Sequence, residues 1–183
     1  MASKFLMRYP EKENFNQYWF SENTIKGLIS EIETLYTDPE YKVACISTPS
    51  IYYSLPETIR KNSKVFDIDL SFQRDPGFVY FDFNAPENIP QELCGFFDVV
   101  VIDPPFITRE VWEKYARAIR IVGKGNARII LSSINENAGM LQELLGVLPC
   151  RFKPSIPHLV YQYNFFTNFE PCALAQVNPE IIE

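Results

Sequence analysis

A chain of 183 residues is the size of one domain with a short extension. With 46% apolar residues, fifteen Phe and ten Tyr, it can bury a sizeable core, and this excludes a disordered chain. Its formal net charge of −6, with Lys and Arg scattered rather than gathered, argues against a nucleic-acid footprint and favours a basic protein partner, and no stretch approaches the roughly 20 apolar residues of a bilayer span.

Residues 1–14 read as a loose polar segment without the apolar core of a signal peptide, and 15–183 as one domain. Ser21 is an N-cap with Phe20 and Ile25 as a hydrophobic staple, and Ile25, Leu28, Ile29, Ile32, Leu35 and Tyr36 recur at helical spacing up to Asp38-Pro39. Val43 to Ser47 is a first strand, followed by the turn Thr48-Pro49-Ser50. A broken helix follows, with Ser54 and Glu57 as a capping box around Pro56. Lys64–Leu70, Phe78–Phe83 and Phe97–Ile102 read as strands two to four. Thr108 caps a helix that buries Trp112, Tyr115, Ala116 and Ile119 and stops at Gly123-Lys124-Gly125. Ala127–Ser132 is strand five, and Asn135 caps a helix ending near Gly146. Cys150–Lys153 and Tyr161–Phe169 close the chain as strands. Strands alternating with helices predict an α/β fold with a mainly parallel sheet, and the missing helix between the closing strands predicts an antiparallel edge.

Cys45, Cys94, Cys150 and Cys172 form no C-x-x-C pair and His158 is the sole histidine, so no zinc spacing is present and no metal is expected. Four reduced thiols fit a cytosolic or nuclear setting. His158, alone between Pro157 and Leu159, reads as a loop residue rather than a catalyst.

In open α/β sheets ligands bind beyond the carboxyl ends of the strands, where the strand order reverses. Four such ends carry polar or turn residues: Ser47-Thr48-Pro49-Ser50, Asp67-Ile68-Asp69, Asp82-Phe83-Asn84 and Asp103-Pro104-Pro105-Phe106. An acid after strand two suits the two hydroxyls of a ribose. Asp82 or Asn84 suits an adenine amino group, with Phe83 packed on the ring. The first turn lacks G-x-G-x-x-G, which disfavours a nicotinamide dinucleotide but not S-adenosylmethionine, which has no phosphate. Asp103-Pro104-Pro105-Phe106 ends a buried strand. An acid, two rigid prolines and an aromatic there make a shelf on which an NH2 group is held, as N-methyltransferases require; a plain proline turn accounts for the same residues when they are taken alone.

These segments resemble a family of small eukaryotic methyltransferases first described as probable N6-adenine methyltransferases, and within it the elongation factor 1-alpha lysine methyltransferases. The resemblance rests on Asn16-Gln17-Tyr18-Trp19-Phe20-Ser21, Ala44 to Ser50, Phe66 to Asp69, Tyr80 to Asn84, and Phe97 to Phe106. It implies a Rossmann-like, seven-stranded class I fold, S-adenosylmethionine as donor, and a lysine of elongation factor 1-alpha as acceptor; a cytoplasmic location and a monomer are expected beside it. Residue by residue, it implies that Gln17, Trp19 and Ser21 close over the donor and that Ser47, Pro49 and Ser50 line its aminoacid end. Asp69, with Asp67 second, takes the ribose; Asp82, Phe83 and Asn84 take the adenine. Asp103, Pro104, Pro105 and Phe106 hold the target amine. Phe106 stands where many members have Tyr. The competing reading is an N6-adenine methyltransferase, with the base stacked on Phe106.

Overall fold

The structure, a computed structural model, describes residues 2–181. Seven strands form one sheet: β1 (Val43–Ile46), β2 (Lys64–Asp67), β3 (Phe78–Tyr80), β4 (Phe97–Ile102), β5 (Gly123–Ser133), β6 (Leu148–Pro149) and β7 (Asn164–Thr167). Their order is β3-β2-β1-β4-β5-β7-β6. The first five are parallel, and β7 runs antiparallel between β5 and β6, so the predicted α/β sheet with an antiparallel edge is what forms.

The core lies on both faces of the sheet, as alternation along the strands dictates. Val43, Cys45, Val99 and Val101 point to one face, against α2 (Glu22–Leu35). Ala44, Ile46, Val100 and Ile102 point to the other, against α5 (Arg109–Val122) and α6 (Ala138–Leu145). Ser21 accepts from Thr24 N–H and Thr108 from Val111 N–H, so both predicted caps form. Gly146 ends α6 at φ 66°, the left-handed position that glycine takes at no steric cost.

Several expectations fail in instructive ways. The N-terminal segment is not loose: α1 (Ala2–Arg8) forms, with Ala2 and Phe5 buried. Phe5 meets Tyr9, Trp19, Tyr53 and Phe72 at ring distances of 5.1–6.4 Å, long-range packing that no local periodicity announces. The capping box at Ser54 does not form. Ser54 Oγ donates instead to Ser50 C=O at 2.6 Å, and the short α4 (Glu57–Arg60) starts at Pro56 without a side-chain cap. Strands two and three stop at Asp67 and Tyr80, and Leu70–Phe72 coils into a 3₁₀ turn started by Asp69, which accepts from Ser71 N–H. Asn135 opens a 3₁₀ turn rather than capping α6. Cys150–Lys153 is not a strand; β6 pairs at Leu148 and Pro149 before it. Glu31, fully buried in α2, accepts from Cys172 and Leu174 N–H and so ties the C-terminal segment to the domain.

Candidate active site

The strand order reverses between β1 and β4, and a narrow cleft opens there beyond their carboxyl ends. Counting its open mouth, it encloses about 640 Å³. Ser47, Pro49, Asp67 and Ile68 form one side; Asp103, Pro104 and Pro105 form the head; Ile156, Leu159 and Tyr163 form the far side; and residues 15–19 lie along it as a fourth wall.

Ser47 follows β1 at φ 55°, a left-handed conformation uncommon for any residue but glycine. Two bonds hold it. Its N–H donates to Phe66 C=O at 2.8 Å, and its hydroxyl lies 2.8 Å from the phenol of Tyr115 on α5. The short helix α3 (Pro49–Tyr52) starts directly after this turn.

Asp67 ends β2, buried, with Oδ1 accepting Asp69 N–H at 2.9 Å. Burial pushes its carboxyl up to about 7, only partly offset by backbone N–H donors from Asp69 and Ile68. Asp69 is satisfied elsewhere. It accepts from Lys12 Nζ at 2.8 Å, Gln17 Nε2 at 2.9 Å and Ser71 N–H at 2.9 Å. Burial opposes its ionisation, but these donors outweigh it and the pKa is lowered. Of the two acids predicted for a ribose, Asp67 lines the cleft, and Asp69 instead anchors the wall that carries Gln17.

That wall is bonded at several points. Gln17 Oε1 accepts Lys12 N–H at 3.0 Å, Trp19 N–H donates to Glu11 at 2.7 Å, and Trp19 Nε1 donates to Tyr9 C=O at 2.9 Å. Asn16, at φ 53°, donates its amide to Pro105 C=O on the shelf. Glu11 also meets His158 Nδ1 at 2.6 Å, so the lone histidine is a surface tie between this wall and the 156–163 loop.

Asp103 lines the head of the cleft, partly exposed there. Its Oδ1 accepts from Ser132 Oγ on β5. Burial pushes its carboxyl up to about 7, and the Ser132 bond is the only influence lowering it. No Lys or Arg among the described residues pairs with it. Tyr163 faces the same space; burial and the neighbouring Asp103 push its phenol up to about 12, so it stays protonated.

The cleft therefore unites Gln17, Trp19, Ser47, Pro49, Asp67, Asp103, Pro104 and Pro105 from the residues picked out in the sequence. The others lie outside its lining. Ser21 is spent capping α2, and Ser50 is buried in α3. Asp82 and Asn84 form a local turn, with Asp82 accepting from Asn84 N–H at 2.8 Å and Asn84 accepting from Lys114. Phe83 stacks on Tyr115 at 5.6 Å rather than standing free, and Phe106 is 52% exposed beside the shelf. Phe15, Asn16, Tyr18, Ile68, Ile156, Leu159 and Tyr163 also line the cleft, and none of them carried a site role in the sequence. Asn16 and Tyr18 sit inside the segment that carries the resemblance and were legible as part of it. The 156–163 loop has no local pattern that distinguishes it.

The residue profile of the family described as "Probable N6-adenine methyltransferase" matches residues 11–171. The chain belongs to this family. Among curated proteins, "EEF1A lysine methyltransferase 1" of Mus musculus is 30% identical over 165 residues, covering 87% of this chain and 76% of that protein. A protein-lysine N-methyltransferase of Dictyostelium discoideum is 33% identical over 161 residues, covering 85% of this chain and 75% of that one. The fold matches the crystal structure of Burkholderia thailandensis 1,6-didemethyltoxoflavin-N1-methyltransferase, with a TM-score of 0.56 at 13% identity, over 91% of this chain and 85% of that one. The protein is thus a methyltransferase of the S-adenosylmethionine-dependent class I fold. Its own residues suit that donor. Asp67 is a buried carboxyl lining the cleft whose backbone N–H donors only partly offset its burial, and its remaining acceptor positions suit neutral ribose hydroxyls. Ser47 offers a hydroxyl at a turn with no phosphate loop, and Trp19 and Ile68 give apolar walls.

Proposed function

We propose that this chain is a protein-lysine N-methyltransferase that uses S-adenosylmethionine and acts on translation elongation factor 1-alpha, in the cytoplasm and as a monomer. One observation carries the reading: Asp103 is a carboxylate at the head of the cleft with one neutral hydroxyl donor and, among the described residues, no cation paired with it. A lysine ammonium supplies the missing charge, whereas an adenine amino group is neutral and leaves the carboxylate's desolvation uncompensated. The names of the curated relatives support the same acceptor.

Bound S-adenosylmethionine supplies an electrophilic methyl group on a sulfonium centre. Asp67 and Ser47 would hold its ribose and aminoacid ends, with Gln17 and Trp19 along its open side. Asp103 takes the incoming ammonium as an ion pair. Once the proton has left to solvent, Asp103 keeps the amine in place by accepting one of its N–H groups. Pro104 and Pro105 fix the backbone so that this carboxylate cannot swing away, and Tyr163 and Leu159 flank the aliphatic stem. Rate then comes mainly from proximity and alignment.

Asp103→Asn separates the two acceptors. Asn keeps the shape and an acceptor oxygen for the Ser132 hydroxyl and for a neutral amine, but it cannot pair an ammonium. Loss of turnover with donor affinity intact supports lysine. Turnover equal to the unmodified chain refutes the role given to Asp103.

A further inference from the structure

Tyr115 is rooted in α5, 1% exposed, and does not line the cleft, yet it touches two parts of the site at once. Its phenol oxygen lies 2.8 Å from Ser47 Oγ, and its ring stacks on Phe83 at 5.6 Å and 29° and meets Phe81 edge-on at 5.8 Å. Ser47 is where support is needed. A glycine would occupy φ 55° freely, while an L side chain keeps such a conformation only where its surroundings over-determine it.

We propose that Tyr115 is a positioning residue for the donor: its hydroxyl locks the left-handed Ser47 turn, and its ring sets Phe83 beside it. The proposal rests on the reading of the cleft as the donor site. The phenol has no other hydrogen-bond partner among the described residues, so its one polar contact is spent on Ser47. Held in this way, the Ser47 hydroxyl stays at the rim of the cleft, where the turn would meet the donor's aminoacid end. Burial raises the phenol pKa, so the lock holds across the working pH range. A glycine at 47 has no need of the lock.

The test is calorimetric titration of S-adenosylhomocysteine into the purified full chain and into Y115F, S47A, S47G and the double variant S47G/Y115F, with a melting curve for each. Y115F weakens binding about tenfold, the size of one hydrogen bond in a buried site. S47A, which keeps the strained turn and loses the hydroxyl, weakens it at least as much. S47G binds more tightly than S47A despite being smaller, and adding Y115F to S47G costs less than about twofold, since distant effects would simply add. An unchanged affinity in Y115F, an equal Y115F loss in both backgrounds, or S47G binding no better than S47A overturns the proposal. Should Y115F not fold, a folded S47G/Y115F supports the lock, since glycine has removed the need for it, and an unfolded S47G/Y115F overturns the proposal. No binding by the unmodified chain would overturn the donor reading and this proposal together; binding that Y115F leaves intact overturns only the proposal.

Discussion

The two halves of the cleft are finished to different degrees. On the β1–β2 side nearly every polar group has an internal partner: Ser47 has Tyr115, Asp69 has Lys12 and Gln17, and Asp67 has backbone N–H donors. On the β4–β5 side Asp103 has one neutral hydroxyl and sits where burial disfavours its charge. The first half is built to receive a ligand by shape and neutral hydrogen bonds. The second is short by one positive charge, which the substrate must bring.

The sharpest way to break this contrast is Asp103→Asn. It lowers kcat/KM about 100-fold, the scale of losing a charge-assisted bond, with S-adenosylhomocysteine affinity unchanged, as steady-state kinetics and calorimetry would read. Asp67→Ala does the reverse: donor affinity falls roughly 10-fold to 30-fold, for two lost hydroxyl bonds, while kcat at saturating donor holds. Third, the pH profile of kcat/KM and its response to Ser132 probe the acceptor half. The raised Asp103 carboxyl gives kcat/KM an acid limb near pH 7, rising as the group ionises, and Ser132→Ala moves that limb upward by about one unit, because it removes the donor that favours the charged form. Ser132→Thr keeps the hydroxyl and the limb. The sign for stability is opposite. Asp67 and Asp103 hold protons more tightly folded than unfolded, so their contribution to stability falls as pH rises from about 4 through 7 and is flat above. The contribution is read as a difference: over that window the melting temperature of the unmodified chain falls relative to that of Asp103→Asn, which lacks the titrating carboxyl. The smallest effect is Phe106→Ala. Half-exposed and outside the cleft lining, Phe106 contributes no more than about threefold to KM for the acceptor, roughly the worth of a partly exposed apolar contact.

The parts legible in the sequence were those with a local signature. The caps at Ser21 and Thr108, the buried β4 run and the polar strand ends all encode themselves within a few residues. The illegible parts depend on distant partners. Nothing near Phe5 says that Trp19, Tyr53 and Phe72 will receive it. Asp67 and Asp69 look interchangeable in sequence, and only Lys12 and Gln17, more than 50 residues away, determine that Asp69 is occupied and Asp67 faces the cleft. Tyr163 reaches the acceptor side because β7 runs back antiparallel beside β5.

The central claim is that the empty charge beside Asp103 belongs to a lysine. The direct measurement is transfer of a labelled methyl group from S-adenosylmethionine into an extract lacking this enzyme, followed by separate nuclease and protease digestion and identification of the labelled residue. The account predicts label that survives nuclease, is released by protease, resides on a protein of elongation factor 1-alpha's size and is recovered as methyl-lysine. Label released by nuclease and recovered as N6-methyladenine would contradict it.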